Sequence, residues 1–201
     1  MKRLSVLFCV ALIGSSLSVY GQEGFNLGLD FPLVSFPSGD IHFNPGFGMG
    51  LRVGYGIDEN LSLSLNLAAA SHTVNGGSLI LYDPSSSFVQ QSNSYSEWNM
   101  GWLFFDGKFL FGETGRVRPF IIGELGLGVL AANSDNSLSG VGVGAGGGVE
   151  YYVADHLSLN GTAFLRYTNF SKVSFNGRTG NLTNSLNESA FSLNTGLTYH
   201  F

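Results

Sequence analysis

The feature that most constrains this chain is a two-residue repeat of large apolar side chains, which recurs from residue 23 to the last residue. The first repeat has such side chains at Phe25, Leu27, Leu29, Phe31 and Leu33. The same alternation is found in GFGMGLRVGYG, LSLSLNLAAASHT, EWNMGWLFFDGKFLF, RPFIIGELGLGVLA, GVGVGAGGGVEYYV, LSLNGTAFLRYTNF and FSLNTGLTYHF. A period of two is that of a β-strand with two unlike faces, so we predict eight strands of about 10 to 15 residues.

One segment changes phase along its length. Its aromatic residues from Trp98 to Phe104 occupy even positions, whereas Phe109 and Phe111 occupy odd ones. A β-bulge inserts one residue and would return both groups to one face. We therefore predict a bulge at Phe104–Phe105.

Connections of two kinds alternate between the predicted strands. Short ones are 57–60, 112–118 and 153–156, and the other set, mostly longer and more polar, is 35–45, 76–94, 133–139 and 171–188. All short turns then lie at one end of the sheet. Short turns at one end and longer loops at the other are typical of outer-membrane β-barrels, where the short turns are periplasmic.

The composition of the two strand faces decides between a soluble barrel and a membrane barrel. One parity carries nearly all Leu, Phe, Val, Trp and Tyr, and the other carries Gly, Ser, Asn, Thr and the few charges. A narrow eight-stranded lumen holds only small or paired polar groups, so the bulky face should point to lipid. We predict an all-β, eight-stranded antiparallel up-and-down transmembrane β-barrel over 23–201, with the last strand pairing with the first near FNLGLDF.

The N-terminal segment 1–22 has the order of a secretory signal peptide. Lys2 and Arg3 precede an apolar run of about ten residues, too short to span a bilayer, and small residues follow. The alternative is an uncleaved anchor. The single cysteine, Cys9, lies inside this run, so no disulfide is expected in the mature barrel.

Several functional classes are disfavoured. Charged residues make up 11% of the chain and no basic cluster is present, so we expect no nucleic-acid partner. The glycines Gly142, Gly144 and Gly147 fit a phosphate-loop spacing, but a strand rather than a helix follows them. We interpret them as small interior positions and predict no cofactor and no metal site.

Four charged residues have inward parity near the short-turn end, namely Asp30, Arg52, Glu124 and Glu150. Isolated charges in a narrow lumen are costly, whereas paired charges persist. We predict that these four form an interior polar network that plugs the barrel. The alternative is a gated ion path.

A second inward set, His72, Glu97 and Arg166, should lie nearer the longer loops. Centring the intervening loop pairs His72 with Glu97. A histidine beside a carboxylate is also half of a hydrolase arrangement, but no serine is clearly placed to be activated. We therefore expect a structural polar pair and no catalytic residue.

Aromatic residues of outward parity near strand ends suit the girdles at the two membrane interfaces. They are Trp98, Trp102, Tyr55, Tyr151, Tyr167 and Tyr199.

The segment GRVRPFIIGELGLG, the alternating strands and the terminal LTYHF together resemble the small outer-membrane β-barrels of Gram-negative bacteria. This family includes the OmpA transmembrane domain, OmpX and the opacity-type proteins. The resemblance implies the bacterial outer membrane as the location, its lipid as surroundings, and the barrel-assembly machinery as a partner. It also implies that Tyr199 and Phe201 belong to the C-terminal assembly signal.

The expected function is a structural or adhesion-like surface-interaction role through the loops, with a surface ligand that the sequence does not identify. The loops 76–94 and 171–188 are the expected sites of that contact. One alternative is a porin-like channel for small solutes. Another is a lipid-modifying enzyme, although such barrels have their catalytic groups on the lipid side.

Overall fold

The computed structural model describes residues 23–39, 42–74, 79–82, 92–112 and 115–201, so the predicted signal peptide lies outside the described residues. The strands found within these ranges are β1 (Gly24–Gly39), β2 (Gly46–Gly56), β3 (Leu61–Thr73), β4 (Leu79–Tyr82), β5 (Ser92–Tyr95), β6 (Glu97–Leu110), β7 (Val117–Ala131), β8 (Ser137–Ala154), β9 (Leu157–Phe175) and β10 (Arg178–His200). Among the described residues, no helix is long and apolar enough to cross a membrane.

Eight of the described strands form a closed barrel in the order β1, β2, β3, β6, β7, β8, β9 and β10. Every neighbouring pair is antiparallel, and β10 closes on β1 with Asn26 opposite His200. The predicted fold and the predicted closing pair are confirmed. β4 and β5 form a separate two-stranded sheet within the connection between β3 and β6. Closure leaves no free edge along the wall, as lipid requires.

Side chains alternate between the lumen and the outer surface along each barrel strand. Tyr55, Tyr151, Tyr167 and Tyr199 are exposed on the outside, together with most Leu, Val and Ile of the barrel strands. An outward apolar face of this kind suits lipid. The predicted orientation of these four tyrosines is therefore correct.

Strand β6 differs from the prediction because it contains no bulge. Its pairing with β3 and β7 advances one residue at a time over its whole length. Trp98 and Trp102 consequently point inward, with exposures of 0% and 3%, and do not belong to an aromatic girdle.

Glycines on the inner face of β8 explain how a narrow barrel can hold aromatic rings in its lumen. A Cβ at Gly142 would lie 2.9 Å from Phe104 Cζ, and one at Gly148 would lie 2.9 Å from Phe120 Cζ. The predicted interior position is confirmed for Gly142 and Gly144, whereas Gly147 shares the outward parity of Val143 and Val149 and does not face the lumen. Gly142 and Gly148 each lie beneath an aromatic side chain from another strand.

The lumen has two unlike halves. The half towards the longer connections, the apolar half, is filled by a buried cluster of Val34, Phe36, Phe43, Ala70, Trp98, Met100, Trp102, Phe104, Leu130, Leu138, Phe170, Val173, Phe175 and Ala190. The half towards the short turns, the polar half, holds most of the buried polar and charged side chains. The predicted small-and-polar interior is therefore correct for one half only.

The connection predicted as a polar loop at 171–188 is mostly strand. β9 continues to Phe175 and β10 begins at Arg178. The turn between them is Asn176–Gly177, with φ values of 49° and 76°, which fits the Asn-Gly turn of a tight hairpin. The β1–β10 pairing ends at Gly39, opposite Glu188. The tip of this β9–β10 hairpin therefore projects beyond β1.

The inner face of β8 gives a first prediction. Gly148→Ala would bring a Cβ against the Gly161 carbonyl oxygen and the Phe120 ring. Overpacking of this kind costs about 1–3 kcal/mol, which urea unfolding in detergent micelles would measure. The matched control is Gly161→Ala, where a Cβ meets nothing within 4 Å. Equal stability of the two variants would show that the space above β8 is not tightly filled.

Candidate functional site

The polar half of the lumen contains the largest group of buried charged side chains in the described residues. Its members come from every barrel strand, because each strand contributes its even-numbered, inward positions. They include Asn26, Asp30, Arg52, Ser64, Asn66, Asp106, Lys108, Glu124, Glu150, Ser158, Asn160, Arg166, Ser192, Asn194, Thr198 and His200. Ions at such depth must be paired and hydrogen-bonded to offset their lost hydration.

The first ion pair joins neighbouring strands. Arg52 Nη2 donates to Asp30 Oδ2 at 2.7 Å, and both side chains are buried. Asp30 lies opposite Gly50 in the ladder and Arg52 opposite Gly28, so the pair forms along a diagonal. Small residues at both opposed positions leave space for this approach.

The second ion pair reaches across an intervening strand. Arg166 on β9 binds Glu124 on β7 in a two-point contact, Nε to Oε1 and Nη2 to Oε2. Gly144 of β8 lies between them, and the Glu124 side chain occupies the place of its missing Cβ. Arg166 also donates to Ser192 Oγ at 2.8 Å and lies 4.3 Å from the centre of the Phe164 ring. All these contacts favour the charged guanidinium.

The third ion pair anchors a cluster near the short turns. Lys108 Nζ donates to Glu150 Oε2 at 2.8 Å. Ser158 Oγ donates to Glu150 Oε1 at 2.6 Å and lies 2.9 Å from His200 Nε2. Four strands, β6, β8, β9 and β10, are thereby joined around a single carboxylate.

Arg118 connects two short turns at the same end. Its Nη1 donates to the Glu59 carbonyl oxygen and its Nη2 to Asn60 Oδ1, both at 2.7 Å. In the first of these turns, Asp58 accepts bonds from the backbone N–H groups of Asn60 and Leu61. These bonds hold the pKa of the Asp58 carboxyl below its usual range.

The predicted network of Asp30, Arg52, Glu124 and Glu150 divides into separate pairs. The structure brings Asp30 and Arg52 together, but Glu124 pairs with Arg166 and Glu150 with Lys108. Lys108 and Asp106 were not predicted, although they have the parity opposite to the outward Phe109 and Phe111. Their parity could therefore have identified Lys108 and Asp106 as inward residues from the sequence.

The second predicted set does not assemble. Glu97 lies opposite Thr73 and is exposed, whereas Trp98 lies opposite His72. The cause is the missing bulge in β6, which gives Trp98 the inward position. His72 instead donates from Nδ1 to the Asn44 carbonyl oxygen at 3.2 Å and packs edge-on against Phe36. Arg166 belongs to the polar half, with Glu124.

The described residues contain one set with the composition of a hydrolase triad, Ser158, His200 and Glu150. Its geometry differs from that of a triad, in which the acid binds the histidine nitrogen remote from the serine. Here both Ser158 and Glu150 approach His200 Nε2, at 2.9 and 3.4 Å. Ser158 is also fully buried. Within the described ranges, no group of three His, Cys, Asp or Glu could hold a metal ion.

The predicted assembly signal lies at the closing seam. Phe201 packs edge-on against Phe25 of β1 and against Tyr199, and its backbone N–H donates to the Phe25 carbonyl oxygen at 2.9 Å. Its role in assembly stays a prediction.

The chain matches the model of the outer membrane protein beta-barrel domain over residues 5–201. It belongs to this family. The barrel is accordingly a bacterial outer-membrane protein, with the OmpA-like architecture that its strands show. A search of curated proteins found no match.

Solved structures of small outer-membrane barrels are similar in fold. Neisserial surface protein A is 19% identical, with a TM-score of 0.59 over 88% of this chain and 97% of that one. OprG from Pseudomonas aeruginosa is 14% identical, with a TM-score of 0.55 over 90% of this chain and 99% of that one. AlkL is 13% identical, with a TM-score of 0.54 over 92% of this chain and 93% of that one.

The Glu124–Arg166 pair gives a second prediction. Arg166→Met should leave a buried carboxylate uncompensated and lower the free energy of unfolding by about 3–5 kcal/mol. The double variant Arg166→Met with Glu124→Gln should recover most of this loss, because no charge is then left unpaired. Urea unfolding in micelles measures both. If the double variant were no more stable than the single one, charge pairing would not be the cause.

Proposed function

We propose that this protein is a non-conducting, non-enzymatic outer-membrane barrel that supports the membrane and interacts with surfaces through its extracellular end. The observation that carries the proposal is the filling of the lumen in both halves. Large apolar side chains occupy the half towards the longer connections, and paired charges occupy the half towards the short turns.

The apolar half is the stronger barrier to ions. Trp98, Phe104 and Leu138 have exposures of 0 to 1% and belong to this one buried apolar cluster. An apolar layer across a pore opposes ion passage because an ion must shed its water to enter it. This supports a sealed barrel over a solute channel.

The extracellular end supports a surface role. The β9–β10 hairpin continues the barrel wall outwards, and its tip is held by the β7–β8 turn, since the Gly177 N–H donates to the Asp135 carbonyl oxygen and the Asn176 N–H to Asn136 Oδ1. The side chains at the tip are exposed and polar, including Arg178 and Thr179. A rigid, exposed polar tip suits contact with another surface. Neisserial surface protein A, whose fold is similar, is named as a surface protein.

The outer face supports two further parts of this proposal. Its belt of exposed Leu, Val and aromatic side chains suits the outer-membrane lipid as surroundings. Tyr199 and Phe201 lie at the seam formed by β1 and β10, where an assembly machinery that recognises the last strand would act.

A third prediction concerns conductance. The wild-type protein, reconstituted in planar bilayers in concentrated KCl, should show no discrete current steps. The variant with Trp102→Ala, Phe104→Ala and Arg166→Ala shortens large side chains in both halves of the lumen and should conduct. Heat-dependent gel mobility would confirm that both proteins are folded. Steady wild-type steps of the size shown by the variant would favour the channel.

A fourth prediction concerns adhesion. Reversing the charge of the tip by Lys172→Glu and Arg178→Glu should change the attachment of cells to coated surfaces or to each other. Arg116→Glu, in a short turn at the opposite end of the barrel, is the control and should leave attachment unchanged. Equal attachment by cells with and without the protein would contradict the surface role.

A further inference from the structure

Asp106 is the one carboxylate in the polar half without a cation of its own among the described residues. The closest donor is Ser64 Oγ at 3.5 Å, which is longer than the range of about 2.5–3.0 Å that is usual for an O–H···O bond. Its direct neighbour in the ladder is Glu124, a second carboxylate, whose charge is already bound by Arg166. Asp106 itself has an exposure of 0%.

The layer around Asp106 has an excess of negative charge. The charged groups around Asp106 include Arg52, Arg166, Glu124 and Asp30, and the nearby Lys108 and Glu150 neutralise each other. With Asp106, that makes three carboxylates against two guanidinium groups, an excess of one negative charge. A buried charge without compensation is strongly unfavourable, so an ionised Asp106 needs one further positive charge beside it.

Unpartnered oxygen atoms line the same half. The buried oxygens without a hydrogen-bond partner in the described residues of this layer are Asp30 Oδ1, Asn66 Oδ1, Asp106 Oδ1, Asn160 Oδ1 and Asn194 Oδ1. The unpartnered donors of this half are Arg52 Nε and Arg118 Nε, and His200 Nδ1, which can donate or accept, is also without a partner. Buried acceptors need partners, and this excess of acceptors over donors calls for a cation or for water held by one.

The strand register places these oxygens on neighbouring strands of the polar half. Asn66 lies opposite Arg52, and Ser64, two residues before it, lies opposite Asp106. Asp30 and Asn160 flank Gly196 from β1 and β9, and both side chains lie over the place of its missing Cβ.

We propose that the polar half of the lumen binds one alkali-metal cation, Na⁺ or K⁺, that retains part of its water. Asp106 Oδ1 supplies the compensating charge, and Asn66 Oδ1 and Ser64 Oγ are the neighbouring ligands. Asp30 and Asn160 face the hydration water from the other side. Carboxylate, amide and hydroxyl oxygens suit hard cations rather than transition metals. A single excess charge fits a monovalent ion, since a divalent ion would leave the layer positive.

The cation is a structural component on this proposal, held between the apolar half and the Lys108–Glu150 cluster. Its binding goes beyond the surface role proposed above and does not depend on it. A ligand that binds only the folded state raises stability with its concentration. Stability of the barrel should therefore depend on the identity of the monovalent cation.

The test uses full-length protein refolded in zwitterionic micelles. Urea midpoints are compared in NaCl, KCl and N-methyl-D-glucamine chloride at equal ionic strength and constant pH, because the last cation is too large for the lumen. The midpoint should rise saturably with Na⁺ or K⁺. Asp106→Asn should remove the dependence, and the same change at an exposed turn carboxylate, Asp155→Asn, should retain it. Equal wild-type midpoints in all three salts would overturn the proposal.

A second measurement locates the ion directly in the wild-type protein. Crystals soaked in a thallium(I) salt should show an anomalous peak in contact with Asp106 Oδ1, and crystals of Asp106→Asn should lack it. A lumen without such a peak, or an infrared band of a protonated carboxyl at Asp106 in saturating NaCl, would show that a proton or water satisfies the layer instead.

Discussion

Closing eight strands into a ring satisfies the backbone hydrogen bonds in lipid, but it leaves a narrow interior whose volume and charge must both be balanced. The inner face of β8 makes that balance possible. Its alternate glycines have no side chain, and side chains from other strands, including Phe104, Phe120 and Phe164, occupy the space that a Cβ would take. Large aromatic rings can therefore lie inside an eight-stranded barrel, although a lumen of this width is expected to hold only small or paired polar groups.

The same glycines also allow ion pairs to form between strands that are not adjacent. Glu124 reaches Arg166 only by passing over Gly144, so the contact joins two strands that are not themselves neighbours. Lys108 and Glu150 likewise join β6 to β8 across β7. These contacts tie the wall together from within, in addition to the ladders that run around it.

The sequence was sufficient for the eight barrel strands, the closing pair and the outward tyrosines, because a period of two is a property of each strand alone, whereas the small β4–β5 sheet was not predicted. It failed at β6, where both faces carry aromatic residues. Which of these residues point into the lumen depends on the space that the glycines of β8 leave there. Parity placed Glu124 and Glu150 correctly inside, but their partners depend on how far Arg166 and Lys108 reach in three dimensions. The 171–188 segment was misread because polar residues there occur in paired strands.

The unequal height of the wall has a mechanical consequence. The β9–β10 hairpin is continuous with two strands that run through the membrane to the Ser158–His200 cluster. A pull on its tip along the strand direction would load the ladder bonds of β9 and β10 in shear, many at once, rather than peel them apart one by one. A tether built in this way would yield only at forces that disrupt a large part of the barrel together.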